Sequence, residues 1–305
     1  MHSLVIKLSS LGDVIQSFGA VADIAATSDR TTVLTTSPYQ GLFSQCPHVD
    51  GIIIDRRLSL WHGSAHLALF RELRRLDIDR VIDLQNTRRT ALYHRLFFSA
   101  IPFSGRSAQR NNPCGDRVRR HDPILDKLAE QLEMAQIPAH RTRQPDLSWL
   151  KADISALPLP SMPFVVLFAG SSVKAASYKR WPSYHALVDA LAARDIPAVM
   201  IPGPAEIDEV SAFRGQVLLS DHKPLSIPQV AEVLRRAAFV VGNDTGLMHL
   251  AAHLRCYGLV LFSGMIAPRQ TSVQTERLGV MQAAQIGDIE LTAVLARIEK
   301  ALGVA

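Results

Sequence analysis

Short apolar runs alternate with longer amphipathic ones along most of the chain, and this alternation predicts its architecture. LVIKL at 4–8 reads as a strand, VIQSFGAVADIAA at 14–26 as a helix and TTVLTT at 31–36 as a second strand. GIIID at 51–55, the helical AHLALFRELRRL at 65–76, the strand RVIDLQ at 80–85 and an Arg-rich helix continue the pattern, and PILDKLAEQLEMAQI adds another helix. Pro158, Pro160 and Pro163 then mark a stiff linker. After it the pattern restarts. FVVLFAG at 164–170 is a buried strand, YHALVDALAAR a helix, PAVMIPG a strand, SIPQVAEVLRRA a helix and FVVG at 239–242 a strand; a helix after Asp244 and the strand GLVLFSG follow. Strands alternating with helices predict parallel sheets covered on both faces. The fold class is therefore α/β, as two βα-rich halves facing one another across a cleft. The expected domains are 1–155 and 156–305, with the last helix a candidate to pack back on the first. No short-period repeat is present.

Composition narrows the class. At 305 residues, with 48% hydrophobic and 20% charged, the chain suits a folded globular protein, not a disordered or collagenous one. Cys46, Cys114 and Cys256 are odd in number and far apart, so neither a disulfide framework nor a structural zinc site is indicated, and a reducing cytoplasm fits best. The N-terminal apolar run is broken by Lys7 and Asp13 and lacks the centre of a signal peptide. No run approaches the roughly 20 apolar residues that span a bilayer. Of the net charge of +5, residues 1–150 carry +4, most densely between Arg88 and Arg120, where Arg88, Arg89, Arg95, Arg106, Arg110, Arg117, Arg119 and Arg120 face the single acid Asp116. Such a stretch suits nucleic acid, an anionic membrane surface or a phosphorylated substrate, or is simply a solvated basic face.

Two loops carry candidate chemistry. Ser9-Ser10-Leu11-Gly12-Asp13 lies between the first strand and first helix, at the sheet edge where open α/β folds bind ligands. Asp13 is either a general base for an attacking hydroxyl or the cap of the following helix. Gly242-Asn243-Asp244-Thr245-Gly246 opens a helix that contains His249. Its free N–H groups suit a pyrophosphate, with Thr245 adding a hydroxyl, Asp244 orienting the loop or meeting a sugar hydroxyl, and His249 reaching a phosphate; otherwise this is a capped helix with a core histidine. Between them, Gly170-Ser171-Ser172 and Lys179-Arg180-Trp181-Pro182 offer hydroxyls and a cation for phosphate oxygens. Asp77-Ile78-Asp79 matches a DxD metal-holding pattern, but it precedes a strand and reads better as a turn. Walker A, GxGxxG, GxSxG and HExxH are absent.

SSLGDVIQSFGAV, VIDLQ at 81–85, KRWP at 179–182, GPAE at 203–206 and VVGNDTGLMHLAAH at 240–253 together resemble the ADP-heptose:lipopolysaccharide heptosyltransferases of glycosyltransferase family 9. The resemblance implies a GT-B fold with the acceptor on the N-terminal domain and the ADP-sugar mainly on the C-terminal one. It implies inverting transfer of heptose from ADP-heptose to a phosphorylated lipopolysaccharide core acceptor, with no metal, no cofactor and no nucleic acid, by a cytoplasmic protein in peripheral contact with the inner membrane surface. By position, Asp13 is similar to the catalytic base. Ser171, Ser172, Lys179, Glu206, Asp244, Thr245, Gly246 and His249 fall on the donor side, and Ser10, Gly12, Arg88, Arg89 and Arg120 on the acceptor side. The chain departs from the family's pattern at Met265-Ile266-Ala267-Pro268-Arg269, around 174–178, and in carrying Arg88 and Arg89 where a lysine is common. Transfer of another nucleotide sugar to a different glycan, and a non-catalytic binding protein of the same fold, are the alternative readings.

Overall fold

The computed structural model describes residues 1–57, 63–106, 122–161, 163–170, 176–204, 206–207, 213, 215–265 and 267–304. The chain divides into two compact units, Met1–Trp149 and Leu150–Ala305, a few residues ahead of the proline-rich stretch.

In the first unit the strands are β1 (His2–Ile6), β2 (Arg30–Thr35), β3 (Gly51–Ile54), β4 (Arg80–Asp83) and β5 (Phe103–Ser104). All pairs are parallel, in the order β3-β2-β1-β4-β5. The helices are α1 (Leu11–Ala25), the short α2 (Gln40–Phe43), α3 (Gly63–Arg74), α4 (Arg88–Phe97) and α5 (Ile124–Met134). β1 lies centrally and every one of its residues is buried, as a strand covered on both faces requires. Leu4, Ile6, Leu34, Val81, Tyr93 and Phe98 belong to one core cluster.

The second unit repeats the scheme with β6 (Val165–Phe168), β7 (Ala198–Met200), β8 (Gln216–Val217), β9 (Phe239–Asn243), β10 (Gly258–Ser263) and β11 (Leu278–Ala283). They are parallel in the order β11-β10-β9-β6-β7-β8. Its helices are α6 (Ala176–Lys179), α7 (Tyr184–Ala192), α8 (Ile227–Arg236), α9 (Gly246–His253), α10 (Pro268–Thr271) and α11 (Leu291–Leu302). The last helix packs on α7, β9 and β10, placing Val294 and Ile298 in this unit's core. Trp181 is 1% exposed there and donates its indole N–H to Ile289 O at 2.9 Å.

The predicted strands and helices of the alternating pattern are present, with shifted ends. The first helix begins at Leu11 instead of 14, because Ser10 caps it and Asp13 completes a capping box. β5, β8 and β11 were not signalled: the first two are only two residues long. Asp77 and Asp79 precede β4 as expected, and Asp79 Oδ2 accepts the His2 N–H at 2.6 Å. No described helix is long and apolar enough to cross a membrane.

One contact ties the distant 141–142 segment to α1. Buried Asp23 accepts the N–H groups of Arg141 and Thr142 (2.9 and 2.8 Å to Oδ2) and the Thr142 hydroxyl at 2.7 Å. One turn earlier, Gly19 leaves room for the same segment: a Cβ there would lie 2.3 Å from Arg141 O. Hydrogen bonds to a charged acceptor contribute about 1.5–3 kcal/mol each, and stranding their buried donors costs more than their mean worth. Asp23→Ala is therefore expected to lower unfolding free energy by about 3 kcal/mol or more in urea titration. A loss below about 1 kcal/mol would show that this clamp is dispensable.

Candidate active site

Both sheets reverse their strand order once, at β1/β4 and at β9/β6, and these reversals open crevices at the C-terminal ends of the strands. Among the described candidates, Ser10, Gly12, Asp13, Asp244, Thr245 and Gly246 lie on the loops that leave those ends or in the first turn of the helix that follows.

In the first unit the chain leaves β1 through residues 7–10 and enters α1. Ser10 is the N-cap, with extended backbone, and its hydroxyl and N–H both donate to Asp13 Oδ2, at 2.8 and 3.2 Å. The cap reading of Asp13 is thus structurally real. It does not compete with the base reading, because the bonds use one carboxylate oxygen of a half-buried side chain. Gly12, inside the first turn, is buried.

Beside this loop lies a cavity of about 270 Å³ bordered by Ser9, Tyr39, Asp55, Arg56 and Arg57. Arg57 donates from Nη1 to Ser9 Oγ at 3.3 Å, and its backbone, in the left-handed region at φ 51°, donates its N–H to Asp55 Oδ1 at 2.7 Å. Asp55 is 3% exposed and also accepts the Tyr93 hydroxyl at 2.7 Å. Burial and the Asp55 carboxylate push the Tyr93 hydroxyl far above its ordinary range, so it remains a donor. Burial also raises Tyr39, with the Asp13 charge adding to it and Arg57 opposing it.

The arginines expected on the acceptor side differ in placement. Arg88 is exposed at the first position of α4. Arg89 turns inward, donating to Tyr93 Oη at 2.5 Å and pairing with Asp55 at 3.4 Å. Arg120 lies outside the described residues, as do Arg110, Arg117 and Arg119. Arg56 and Arg57 were missed by the sequence reading. Their signal was available: two arginines directly follow a strand and its terminal Asp55.

In the second unit Asp244 and Thr245 link β9 to α9. Lys179 Nζ pairs with Asp244 Oδ2 at 2.5 Å, both side chains being mostly buried. Thr245 is the N-cap of α9, yet its buried hydroxyl has no hydrogen-bond partner among the described residues. Together with the first N–H groups of α9, from Gly246 on, it presents a set of donors whose chemistry suits an anion. His249 is buried one turn along.

The fully buried Asn243 joins this loop to the others. Its Nδ2 donates to Ala169 O and Gly170 O, both at 3.0 Å, and its Oδ1 accepts Trp181 N and Tyr184 Oη at 3.2 and 3.1 Å. Glu206 enters the same neighbourhood, accepting the Gly203 N–H at 2.9 Å. A Cβ at Gly170 would fall 1.5 Å from Glu206 Oε1, so only glycine admits the carboxylate. Gly170, Arg180, His185, Glu206 and Phe213 border a cavity of about 150 Å³. Sequence reasoning named Asn243 only as part of its loop and passed over His185 and Phe213, because their contacts depend on spatial neighbours. Ser171 and Ser172 lie outside the described residues. Among those residues no group of three His, Cys, Asp or Glu side chains is placed to hold a metal.

The family model for glycosyltransferase family 9 (heptosyltransferase) matches residues 66–283. Comparison with curated proteins returns no match. Among solved structures, E. coli heptosyltransferase WaaC with ADP is similar at TM-score 0.75 and 20% identity, over 99% of this chain and 100% of that one. E. coli ADP-heptose lps heptosyltransferase II is similar at TM-score 0.74 and 22% identity, over 99% and 98%. The family 9 glycosyl transferase from Veillonella parvula gives TM-score 0.75 and 18% identity, over 100% and 98%. These likenesses show the fold.

His253, one turn beyond His249, has a buried Nε2 without a hydrogen-bond partner among the described residues, and burial with the His249 charge nearby lowers its pKa from 6.5 to about 3. Below about pH 6.5 the unfolded chain binds a proton there that the folded protein refuses, so stability is lost as pH falls toward 3. His253→Gln is expected to flatten this part of the unfolding free energy measured in urea between pH 6.5 and 4. An unchanged slope would assign the acid sensitivity to other groups.

Proposed function

The chain belongs to glycosyltransferase family 9, and from that premise we propose that it moves heptose from ADP-heptose to a phosphorylated lipopolysaccharide inner-core acceptor, with inversion at the anomeric carbon. The observation that carries this reading is the anion cradle of the second unit: Lys179, the unpartnered Thr245 hydroxyl and the start of α9, at the strand-order reversal. A diphosphate is the group such a cradle suits, and solved relatives hold ADP and ADP-2-deoxy-2-fluoro heptose.

In the proposed reaction Asp13 takes the proton of an acceptor hydroxyl. The hydroxyl oxygen bonds to the anomeric carbon from the side opposite the diphosphate, the carbon–oxygen bond to ADP breaks, and ADP leaves with the electron pair. Lys179, Thr245 and the N-terminus of α9 stabilise the growing charge. Asp244 holds Lys179 in place, and His249 stands one turn behind. Glu206 meets the nucleoside in the cavity that Gly170 opens, with Ser171 and Ser172 adding phosphate contacts. Ser10, Gly12, Arg88 and Arg120 serve the acceptor, joined by Arg56 and Arg57, whose charges beside Ser9 suit its anionic groups. Arg89 acts through Asp55 and Tyr93. The exposed Arg88, Arg95 and Leu96 of α4 give a basic, partly apolar surface suited to peripheral contact with the anionic inner membrane from its cytoplasmic side.

Asp13→Asn separates the two roles of that residue, because an amide oxygen still accepts the Ser10 bonds but a neutral amide takes no proton. Unfolding free energy and ADP affinity are expected to stay near wild type while kcat drops about 10²- to 10⁴-fold. Near-normal turnover would leave Asp13 as a helix cap only. Turnover is also expected to survive excess EDTA, whereas Lys179→Ala weakens ADP binding and slows transfer. Abolition by EDTA with recovery in Mg²⁺ would overturn the assignment of leaving-group stabilisation to Lys179 and α9.

A further inference from the structure

Gln85 lies two residues beyond the end of β4, and its Oε1 accepts the backbone N–H groups of Leu8 at 2.8 Å and Ser9 at 2.9 Å. The β1–β4 ladder ends at the Ile6–Asp83 pair. Past it the two chains diverge, one into α1 and the other toward α4, and backbone no longer meets backbone. Gln85 extends the pairing by two residues with a side chain. On the other side of the loop, Thr36 Oγ1 donates to Leu8 O at 2.9 Å.

Gln85 is itself held. Its N–H and that of Asn86 both donate to Oδ1 of the fully buried Asp83, at 3.0 Å each. Asn86 Nδ2 donates to Gln131 Oε1 at 2.8 Å, and Gln131, also fully buried, returns a bond to Asp83 O at 3.0 Å. Lys7 Nζ reaches across to Leu84 O at 3.1 Å. The turn after β4 is therefore a braced platform, and Gln85 is its contact with the loop from β1. The residue after Ser9 is Ser10, whose N–H and hydroxyl fix the Asp13 carboxylate.

We propose that Gln85 is a positioning residue for transfer: by clamping the Leu8 and Ser9 N–H groups it sets the loop that aims Asp13 at the acceptor hydroxyl. The inference rests on the reading of Asp13 as the base. The clamp acts within the first unit, on the loop that leads to Asp13, so its expected effect is on the chemical step and not on nucleotide binding. A displacement of about 1 Å at a reacting group costs on the order of 10²-fold in rate, which sets the scale. The clamp uses only the carbonyl oxygen of the amide, and a glutamate carboxylate presents an equivalent acceptor.

The test compares Gln85→Leu, Gln85→Glu and Asp13→Asn in the full chain, reading kcat, acceptor KM, ADP Kd by calorimetry, and amide exchange at Leu8 and Ser9 by NMR. For Gln85→Leu the expected result is a 10- to 100-fold lower kcat, an ADP Kd within about twofold of wild type, and faster exchange at Leu8 and Ser9 but not at Val5. Gln85→Glu is expected to restore both protection and most of the turnover. Should Gln85→Leu not fold, Gln85→Ala carries the same comparison. Normal kcat in Gln85→Leu while Asp13→Asn is inactive overturns the positioning role and leaves the base standing. Equal losses in kcat and ADP affinity, unrescued by glutamate, also overturn it, as a general structural defect. Full activity in Asp13→Asn removes the base and the proposal together.

Discussion

A parallel strand can satisfy its neighbour only while the two run side by side, and where the strand order reverses they must part. Each unit has one such place, β1/β4 in the first and β9/β6 in the second, and the candidate groups of that unit follow from it. Diverging loops leave backbone N–H and C=O groups without ladder partners, and those groups need other partners or a ligand. A side-chain amide bridges each gap: Gln85 Oε1 accepts from the loop after β1, and Asn243, at the end of β9, donates twice to the loop after β6 and accepts from Trp181 and Tyr184. Because those bridges fix the loops, the groups at their tips stand at defined positions before any ligand arrives.

Charge is handled in the same way in both units. Arg89 pairs with Asp55 and Lys179 with Asp244, so these cations are oriented by a carboxylate instead of moving freely in solvent. Fixed cations of this kind require little reorganisation when an anion develops, which is the condition under which electrostatic stabilisation is strongest. The arrangement has a cost in affinity, since each cation's field is partly cancelled by its partner. The Thr245 hydroxyl and the N–H groups of α9 are not offset in this way, which makes the helix start the dominant feature of the cradle.

The alternating architecture was legible because nearly every strand is a short apolar run and the helices between them are longer and amphipathic. Edge strands were not. β5 and β8 are two residues each, too short for any periodicity, and β11 has one buried residue in six. At the site, the loops carrying Asp13 and Asp244 were legible from their place after strands and from family resemblance. Which arginine faces a ligand was not. Arg88 and Arg89 are adjacent in sequence, yet one is exposed and the other pairs with Asp55, a partner 34 residues away. The choice between cap and base for Asp13 was posed as an alternative, whereas the geometry gives the cap to one oxygen and leaves the base role compatible with it. Asn243 and Gln85 act through backbone groups that only the fold brings within reach.

Under the proposed function, with Asp13 as base and Lys179, Thr245 and α9 holding the diphosphate, transfer is a direct displacement in which the acceptor oxygen enters as ADP departs. That chemistry has one stereochemical outcome. The anomeric configuration of the transferred sugar, read by NMR in the purified product and compared with that of the donor, tests it directly. Inversion is the result expected from Asp13 as base. Retention would require two successive displacements through a second nucleophile, and would contradict the mechanism.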